Sequence, residues 1–349
     1  MVNAANSKVT QFDQALTDQH LVAMWRVLRG MLPPEPKPSA QPYKWSHSGW
    51  HPALLTAGEL VTAEQAERRV LLLENPAFAG EMRIAATLHA GLQMLLPGES
   101  AQPHRHSQAA LRFVLEGDGA VTSINGEAQI MRRGDLVLTP AFSWHEHHNP
   151  SPQPMVWLDG LDLPMARLLG CTFAQFSPSH PDPFNGSTTA TATAAFGAAL
   201  MPEQSVDHAK PVGALSYPYT AALTALEKLA SSSPMDPIHG FRLHYAHPIT
   251  RGHIMPTLAA YLQKLPADFR GHRYQSTESF VYCALEGSGV TRVTHADGSD
   301  QSIAWQPGDL FVIPGWLAHH HESRRESVLF AFSDAASQQN LGLWRERKI

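Results

Sequence analysis

Three blocks of this sequence recur in the same order, and that recurrence constrains the fold more than any other feature. Thr87-Leu-His-Ala-Gly-Leu-Gln93 returns as Thr257-Leu-Ala-Ala-Tyr-Leu-Gln263, an offset of 170 from residue 87 to residue 257. Leu115-Glu-Gly-Asp-Gly119 returns as Leu285-Glu-Gly-Ser-Gly289 at the same offset of 170. Gly134-Asp-Leu136 with Pro140 returns as Gly308-Asp-Leu310 with Pro314 at an offset of 174, which puts four extra residues in the hairpin 296–300. An ordered repeat reads as one folding unit duplicated. From about Arg83, short apolar stretches alternate with the turn signals PGES, EGDG, NGE and RRGD. Asn125-Gly126 marks a type I′ hairpin. The spacing predicts an all-β architecture, a small sandwich or barrel present twice.

The length of 349 residues leaves room for more than the two barrels. The expected division is an N-terminal helical arm and connector over 1–80, a first barrel over 81–165, a linker over 166–236, a second barrel over 237–335 and a tail over 336–349. The linker carries a helix near 220–229. In the arm, Leu21, Met24, Trp25, Leu28, Met31 and Leu32 fall at helical spacing. This predicts a helix from about Asp18 that Pro33 and Pro34 end. PPEPKPSAQP reads as a stiff connector. Thr62-Ala-Glu-Gln65 fits a capping box opening a short helix through Glu67 to Arg69.

Composition then excludes several classes. Hydrophobic residues make up 43% and charged residues 16%, so the chain is no disordered polymer. A net charge of −5 gives no basic surplus for nucleic acid. No apolar stretch approaches the roughly 20 residues of a membrane span, and no secretory signal is apparent, so a cytoplasmic location is expected. Cys171 and Cys283 are too few for a disulfide framework or a thiolate metal site. Histidine is the outlier at 20 residues.

Position separates the histidines. His104-Arg-His106 on a strand points two imidazoles to one face, where both reach one metal. Downstream, Gly134, Pro140, His145 and Asn149 punctuate a strand and a turn. Together with Gly98, six residues before His104, these segments resemble the two cupin motifs. The resemblance implies a bicupin, two double-stranded β-helix (jelly-roll) barrels, the first holding a divalent metal on His104, His106 and His145. Two departures stand out. The usual cupin glutamate ligand is missing from Ser107-Gln-Ala-Ala-Leu111, and the glycine usual before the last histidine region is Phe142. Three neutral ligands leave the metal its full charge, which favours an anionic, bidentate substrate and leaves positions open.

The match narrows further. Gln102 to Gly117, Gly134 to Pro140, Trp157-Leu-Asp-Gly-Leu-Asp162 and Glu67 to Pro76 are similar to the gentisate 1,2-dioxygenase family, which includes salicylate and 1-hydroxy-2-naphthoate dioxygenases. The resemblance implies an Fe(II) enzyme, usually a homotetramer. It splits the bond between the carboxyl- and hydroxyl-bearing carbons of an ortho-hydroxybenzoate and inserts both atoms of O2. From gentisate this yields maleylpyruvate.

Other residues are candidates around the substrate. Arg112 lies six residues after His106, on the ligand face if the strand continues, and suits a substrate carboxylate; a barrel-edge salt bridge is its alternative. The family places a substrate-contacting arginine from the arm at Arg68 or Arg69, with Arg68 preferred. His147, two residues beyond His145, shares the ligand face and suits a phenolate or bound oxygen. Gln93 suits substrate contact, Asp159 the orientation of a ligand histidine or arginine, and His89 the choice of substrate at the mouth. Glu146 and His148 should point away.

In the second copy Tyr274 and Ser276 stand where His104 and His106 stand in the first. Only His319 survives at the third position, with His272 nearby, so this copy is expected to lack a working metal site. Two other classes compete with the dioxygenase. A cupin isomerase or decarboxylase is opposed by the absent glutamate ligand. A non-catalytic storage or binding bicupin is opposed by the histidine triad with Arg112.

Overall fold

The computed structural model describes residues 2–66, 68–176 and 215–349. The chain divides into two compact units, 1–37 and 38–349. The first holds the helices Val2–Asp18 and Met24–Met31. This corrects the single helix expected from Asp18. The chain breaks at His20, whose φ of +54° is left-handed, and only the second helix carries the apolar stripe. An Arg26–Asp13 ion pair at 2.9 Å joins the two helices.

The larger unit contains the duplication, and the copies are longer than the sequence blocks. In the first copy β1 (Tyr43–Trp45), the helix His47–Leu60 and β2 (Val70–Leu72) lead in. The barrel strands are β3 (His89–Leu95), β4 (Ser100–His106), β5 (Ala110–Glu116), β6 (Asp118–Ile124), β7 (Glu127–Arg132), β8 (Leu136–Thr139), β9 (His145–His148) and β10 (Met155–Leu161). The helix Leu163–Leu168 and β11 (Ala174–Phe176) end the copy. The second copy opens with β12 (Ser216–Tyr217), the helix Tyr219–Ser232 and β13 (Phe241–His244). Its barrel is β14 (Ala259–Leu265), β15 (Phe269–Arg270), β16 (Tyr274–Ser276), β17 (Phe280–Glu286), β18 (Gly289–Thr294), β19 (Asp300–Trp305), β20 (Leu310–Ile313), β21 (Ala318–Ser323) and β22 (Ser327–Ser333). The helix Ala335–Asn340 and β23 (Glu346–Lys348) end it.

Each copy builds a jelly-roll barrel from two sheets, so the fold is the expected bicupin. The larger sheets run β12-β8-β5-β10-β3-β2 and β1-β20-β17-β22-β14-β13, the same order in corresponding strands. The opposing sheets run β11-β4-β9-β6-β7 and β23-β16-β21-β18-β19. Local chemistry sets the turns. Asn125 and Gly126 both take positive φ, +50° and +87°, as a type I′ hairpin requires. The equivalent turn between β18 and β19 runs over 295–299, five residues where the first copy has two, so it takes up most of the extra length.

The lead-in elements are exchanged between copies. β1 pairs with β20 of the second barrel, Tyr43 opposite Val312, and β12 pairs with β8 of the first, Ser216 opposite Val137. Each following helix docks by its first residue. The His47 amide donates to Asp309 Oδ1 at 2.9 Å, and the Tyr219 amide donates to Asp135 Oδ1 at 2.8 Å. The helix His47–Leu60 is an addition to the sequence reading, which places no element there, and it carries Pro52 inside it. Trp50 and Leu54, one turn apart, bury its inner face. The capping box forms as expected, with Thr62 and Gln65 bonded reciprocally at 3.2 Å. The helix it caps, Ala63–Ala66, stops short of Arg68 and Arg69. The linker helix spans Tyr219–Ser232, longer than the expected 220–229.

The two larger sheets pack on one another to form the main core. Phe113 stacks on Phe330 with centroids 3.8 Å apart and planes at 10°. Burying each such ring contributes roughly 1.5–3 kcal/mol. Smaller clusters fill the barrels, around Trp157 and Met131 in the first and Tyr282 and Trp305 in the second.

Helix docking leaves a testable mark at Gly134, where φ is +86° and an added Cβ would fall 2.5 Å from the Tyr219 ring. Gly134→Ala is expected to lower stability by about 2 kcal/mol through overpacking and strain. Gly126→Ala meets nothing within 4 Å at a similar φ of +87°, so it should cost only strain, about 1 kcal/mol. Urea-unfolding midpoints compare the two, and equal shifts would refute the docking role.

Candidate active site

The site begins with strand alternation. Along β4, His104 and His106 point inward while Arg105 between them is only half-buried. Their neighbour β9 brings His145 directly opposite His104. Nitrogens of the three imidazoles lie within 4.8 Å of one another. The turn before His145 is held by Phe142, a non-glycine at φ +64°, whose amide donates to the His106 carbonyl at 2.9 Å. Asn149 clamps the following turn through Nδ2 bonds to Leu95 O at 3.0 Å and Gln153 O at 2.8 Å.

The backbone fixes the tautomer of all three rings. Nδ1 of His104 meets Gln102 O at 2.7 Å, Nδ1 of His106 meets Gln108 O at 2.8 Å, and Nδ1 of His145 meets Ser143 O at 3.0 Å. A carbonyl only accepts, so each Nδ1 carries the proton and each Nε2 keeps a lone pair. Nε2 of His104 and of His145 is buried with no hydrogen-bond partner. Burial, with Arg68 or Arg112 adding repulsion, holds the His104 imidazole down to about 3 and that of His106 to about 4. The same causes hold His145 well below its usual range. Three neutral imidazoles with converging lone pairs fit a divalent metal at bonds of about 2.0–2.1 Å.

A cavity of about 340 Å³ opens beside His106. Arg68, His89, Gln93, Arg112 and Asp159 line it with His106. Val70, Leu72 and Leu161 give it an apolar wall. Arg112 does not lie on a continued strand, as the sequence reading had it. The chain turns after His106, and β5 carries Arg112 in from the opposite sheet. Its guanidinium is buried, donates to Thr139 Oγ1 and pairs with Asp159 Oδ1 at 3.3 Å. Asp159 is its cross-strand partner and also accepts from Trp157 Nε1 at 3.1 Å. Burial pushes the Asp159 carboxyl up to about 6 against the pull of Arg112. Asp159 thus contacts the arginine rather than a ligand histidine.

The two arm arginines separate clearly. Arg69 is buried in a clamp, bonded to both oxygens of Glu99 at 2.8 and 2.9 Å and to the Val61 carbonyl. Arg68 faces the cavity and lies 5.9 Å from the Phe176 ring centroid. His147 is buried behind the triad, bonded through Nδ1 to Thr122 Oγ1 at 2.8 Å, and its Nε2 has no partner. Gln93 presents a buried Nε2 likewise without a partner. His89 meets Met82 O through Nδ1 at 2.7 Å, which leaves its Nε2 an acceptor, and burial lowers its basicity. His148 turns away to Ser100. Sequence reasoning missed Thr139, which holds Arg112, and the wall of Val70 and Leu72. Val70 and Leu72 share a face as i and i+2 of a strand, but the unbroken apolar run Val70-Leu-Leu-Leu73 hides which face turns to the cavity.

In the second barrel His319 faces Tyr274 across the strands. A buried Glu278 carboxylate occupies the interior and accepts from Ser333 Oγ at 2.7 Å and Tyr261 OH at 3.3 Å. Among the described residues no three-ligand group forms there.

Residues 91–161 match the cupin domain family. Over 99% of its length the chain is 39% identical to gentisate 1,2-dioxygenase 1 of Aquipseudomonas alcaligenes, covering 98% of that protein. The chain belongs to the gentisate 1,2-dioxygenase family. It is also 31% identical to the 5-aminosalicylate 1,2-dioxygenase of a Comamonas species, over 99% of this chain and 92% of that one. A solved structure of a salicylate 1,2-dioxygenase variant from Pseudoaminobacter salicylatoxidans, in complex with gentisate, superposes with a TM-score of 0.90. That pair is 30% identical and covers 98% of this chain and 95% of the other. The protein is therefore an aromatic ring-cleaving dioxygenase of this family.

The two arginines should separate experimentally. Arg69→Ala strands Glu99 and the Val61 carbonyl and is expected to cost about 3 kcal/mol. Arg68 is only half-buried where Arg69 is buried, so Arg68→Ala should lower the thermal midpoint less than Arg69→Ala does. Melting curves of both variants decide, and the reverse order would reassign the pair.

Proposed function

We propose that the protein is an Fe(II)-dependent dioxygenase that cleaves gentisate, or a related ortho-hydroxybenzoate, between its carboxyl- and hydroxyl-bearing carbons. The observation that carries this reading is the meeting of three metal-ready Nε2 atoms with a cavity bearing two guanidinium groups and one carboxylate. Iron held by His104, His106 and His145 would supply substrate chelation and the activation of O2. Every other role falls to side chains. Arg112, fixed by Thr139 and Asp159, anchors the substrate carboxylate in a dry site, where a charge-assisted bond is strongest. Arg68 adds a second positive charge at the rim. The unpaired Nε2 donor of Gln93 bonds a polar group of the ring. His147, oriented by Thr122, holds a hydrogen bond or proton at the phenolate. His89 offers its Nε2 as an acceptor to a ring substituent at the mouth.

The related proteins act on gentisate, 5-aminosalicylate, salicylate or 1-hydroxy-2-naphthoate by name. The para donor of gentisate enriches the ring in electrons, which makes it the first substrate to test. We also propose a homotetramer. An apolar stripe on the eight-residue helix Met24–Met31 supports this, because so short an element has no core of its own. Both cysteines are free thiols, which supports a reducing, cytoplasmic location.

Oxygen uptake after anaerobic loading with Fe(II) tests the reading across those four substrates. Turnover of gentisate is expected, and turnover of none would refute it. His104→Ala and His145→Ala should lose both iron and activity. Arg112→Ala should keep its iron and lose about tenfold to hundredfold in kcat/KM, the equivalent of one charge-assisted bond. Wild-type kinetics in that variant would remove Arg112 from the site.

A further inference from the structure

We propose a second divalent-metal site, distinct from the catalytic triad, formed by His47, His51 and Glu116. The two histidines stand four residues apart on the helix His47–Leu60, so they share one face. Their rings stack at 4.7 Å and 19°. Each turns Nε2 to a different oxygen of one carboxylate, His47 at 3.3 Å from Oε1 of Glu116 and His51 at 3.1 Å from Oε2. All three ligand atoms lie within 4.8 Å of one another. Metal bonds of about 2.1 Å put neighbouring ligand atoms about 3.0–3.4 Å apart in octahedral or tetrahedral geometry, so an ion enters with small side-chain shifts. His51 is 25% and Glu116 37% exposed, which leaves solvent a path to the site.

The duplication supplies an internal control. At the equivalent place in the second copy, Tyr219 docks on Gly134 and Asp135 as His47 docks on Gly308 and Asp309. Tyr219 donates a single bond to Glu286 at 3.0 Å, and Glu286 is the counterpart of Glu116. In the second copy a single side-chain hydrogen bond to this glutamate therefore accompanies the docking of the helix. One turn on, the second copy has Leu223 where the first has His51. The second imidazole is additional to that single bond, and it turns a hydrogen-bonded pair into a His₂Glu ligand set. Imidazole and carboxylate ligands suit Zn²⁺, Ni²⁺ or Cu²⁺, with further positions left to water. An ion here ties the exchanged helix to the end of β5, the strand that carries Arg112 about 13 Å away along its length.

The test is zinc content per chain in the untagged full-length protein, equilibrated with Zn²⁺ and freed of loose ions by gel filtration. Wild type is expected to hold two zinc ions. His51→Ala and the near-isosteric Glu116→Gln should each hold one, as should His145→Ala. The double variant His51→Ala/His145→Ala should hold none. Zinc should raise the melting temperature of His145→Ala and leave that of the double variant unchanged. A zinc count, or a zinc-induced melting shift, that a folded His51→Ala shares with wild type would overturn the proposal. If the triad assignment fails instead, His145→Ala keeps its count while His51→Ala still loses one.

Discussion

A jelly-roll sheet has open edges, and an open edge exposes unpaired backbone groups. Here each barrel extends its larger sheet with a strand from the other copy. Val312 and Val137 pair with Tyr43 and Ser216 respectively, and the helices that follow lock onto Asp309 and Asp135. The exchange makes the barrels mutually dependent. It also lays their larger sheets together, with Phe113 flat against Phe330. β5, which carries Arg112, runs through this double-walled region and is held on both sides, by β8 and β10. A rigid strand suits the substrate anchor proposed at Arg112, because positional error in such a group lowers rate steeply.

The chemistry of the site is set largely by main-chain atoms. Three carbonyls, of Gln102, Gln108 and Ser143, hold the three Nδ1 protons. The imidazoles therefore present Nε2 inward without any carboxylate neighbour. That distinction matters for charge. A carboxylate partner behind each ring would add negative charge near the metal, whereas carbonyls orient the rings and leave the ion's charge to its exogenous ligands. The cavity agrees, since Arg68 and Arg112 outnumber Asp159 as charged groups along its wall.

Much of this was legible in the sequence, and the reasons are specific. The repeat predicted two similar barrels because matching blocks preserve their order. The pattern of His104, His106 and His145 predicted one cluster because strand alternation and a fixed-length turn leave little freedom. Arg112 reaches the cavity by a route other than the continued strand expected, since it crosses from another sheet. No local pattern reveals which sheet a strand joins. The exchange of β1 and β12 was invisible for the same reason, as three- and two-residue strands carry no periodicity. The helix His47–Leu60 carries Pro52 and is held by the packing of Trp50 and Leu54 rather than by propensity, which local sequence does not reveal. The Arg68 and Arg69 pair was undecidable locally, because the outcome depends on Glu99 some thirty residues later.

The exchange also explains why a barrel whose described residues form no three-ligand group persists beside one that gathers three imidazoles. The second interior has given its imidazole positions to Tyr274 and Ser276, and Glu278 there is satisfied by hydroxyl donors. Yet His321 still meets Thr291 as His147 meets Thr122, both at 2.8 Å, so the framework behind the lost site is intact. The second copy keeps the same strand order with other residues at the triad positions. Losing the second copy would remove β12 from β8 and Tyr219 from the Gly134 turn, both parts of the first barrel. The packing role of the second copy is thus separable from any ligand set inside it, because the first barrel is completed by β12 and Tyr219.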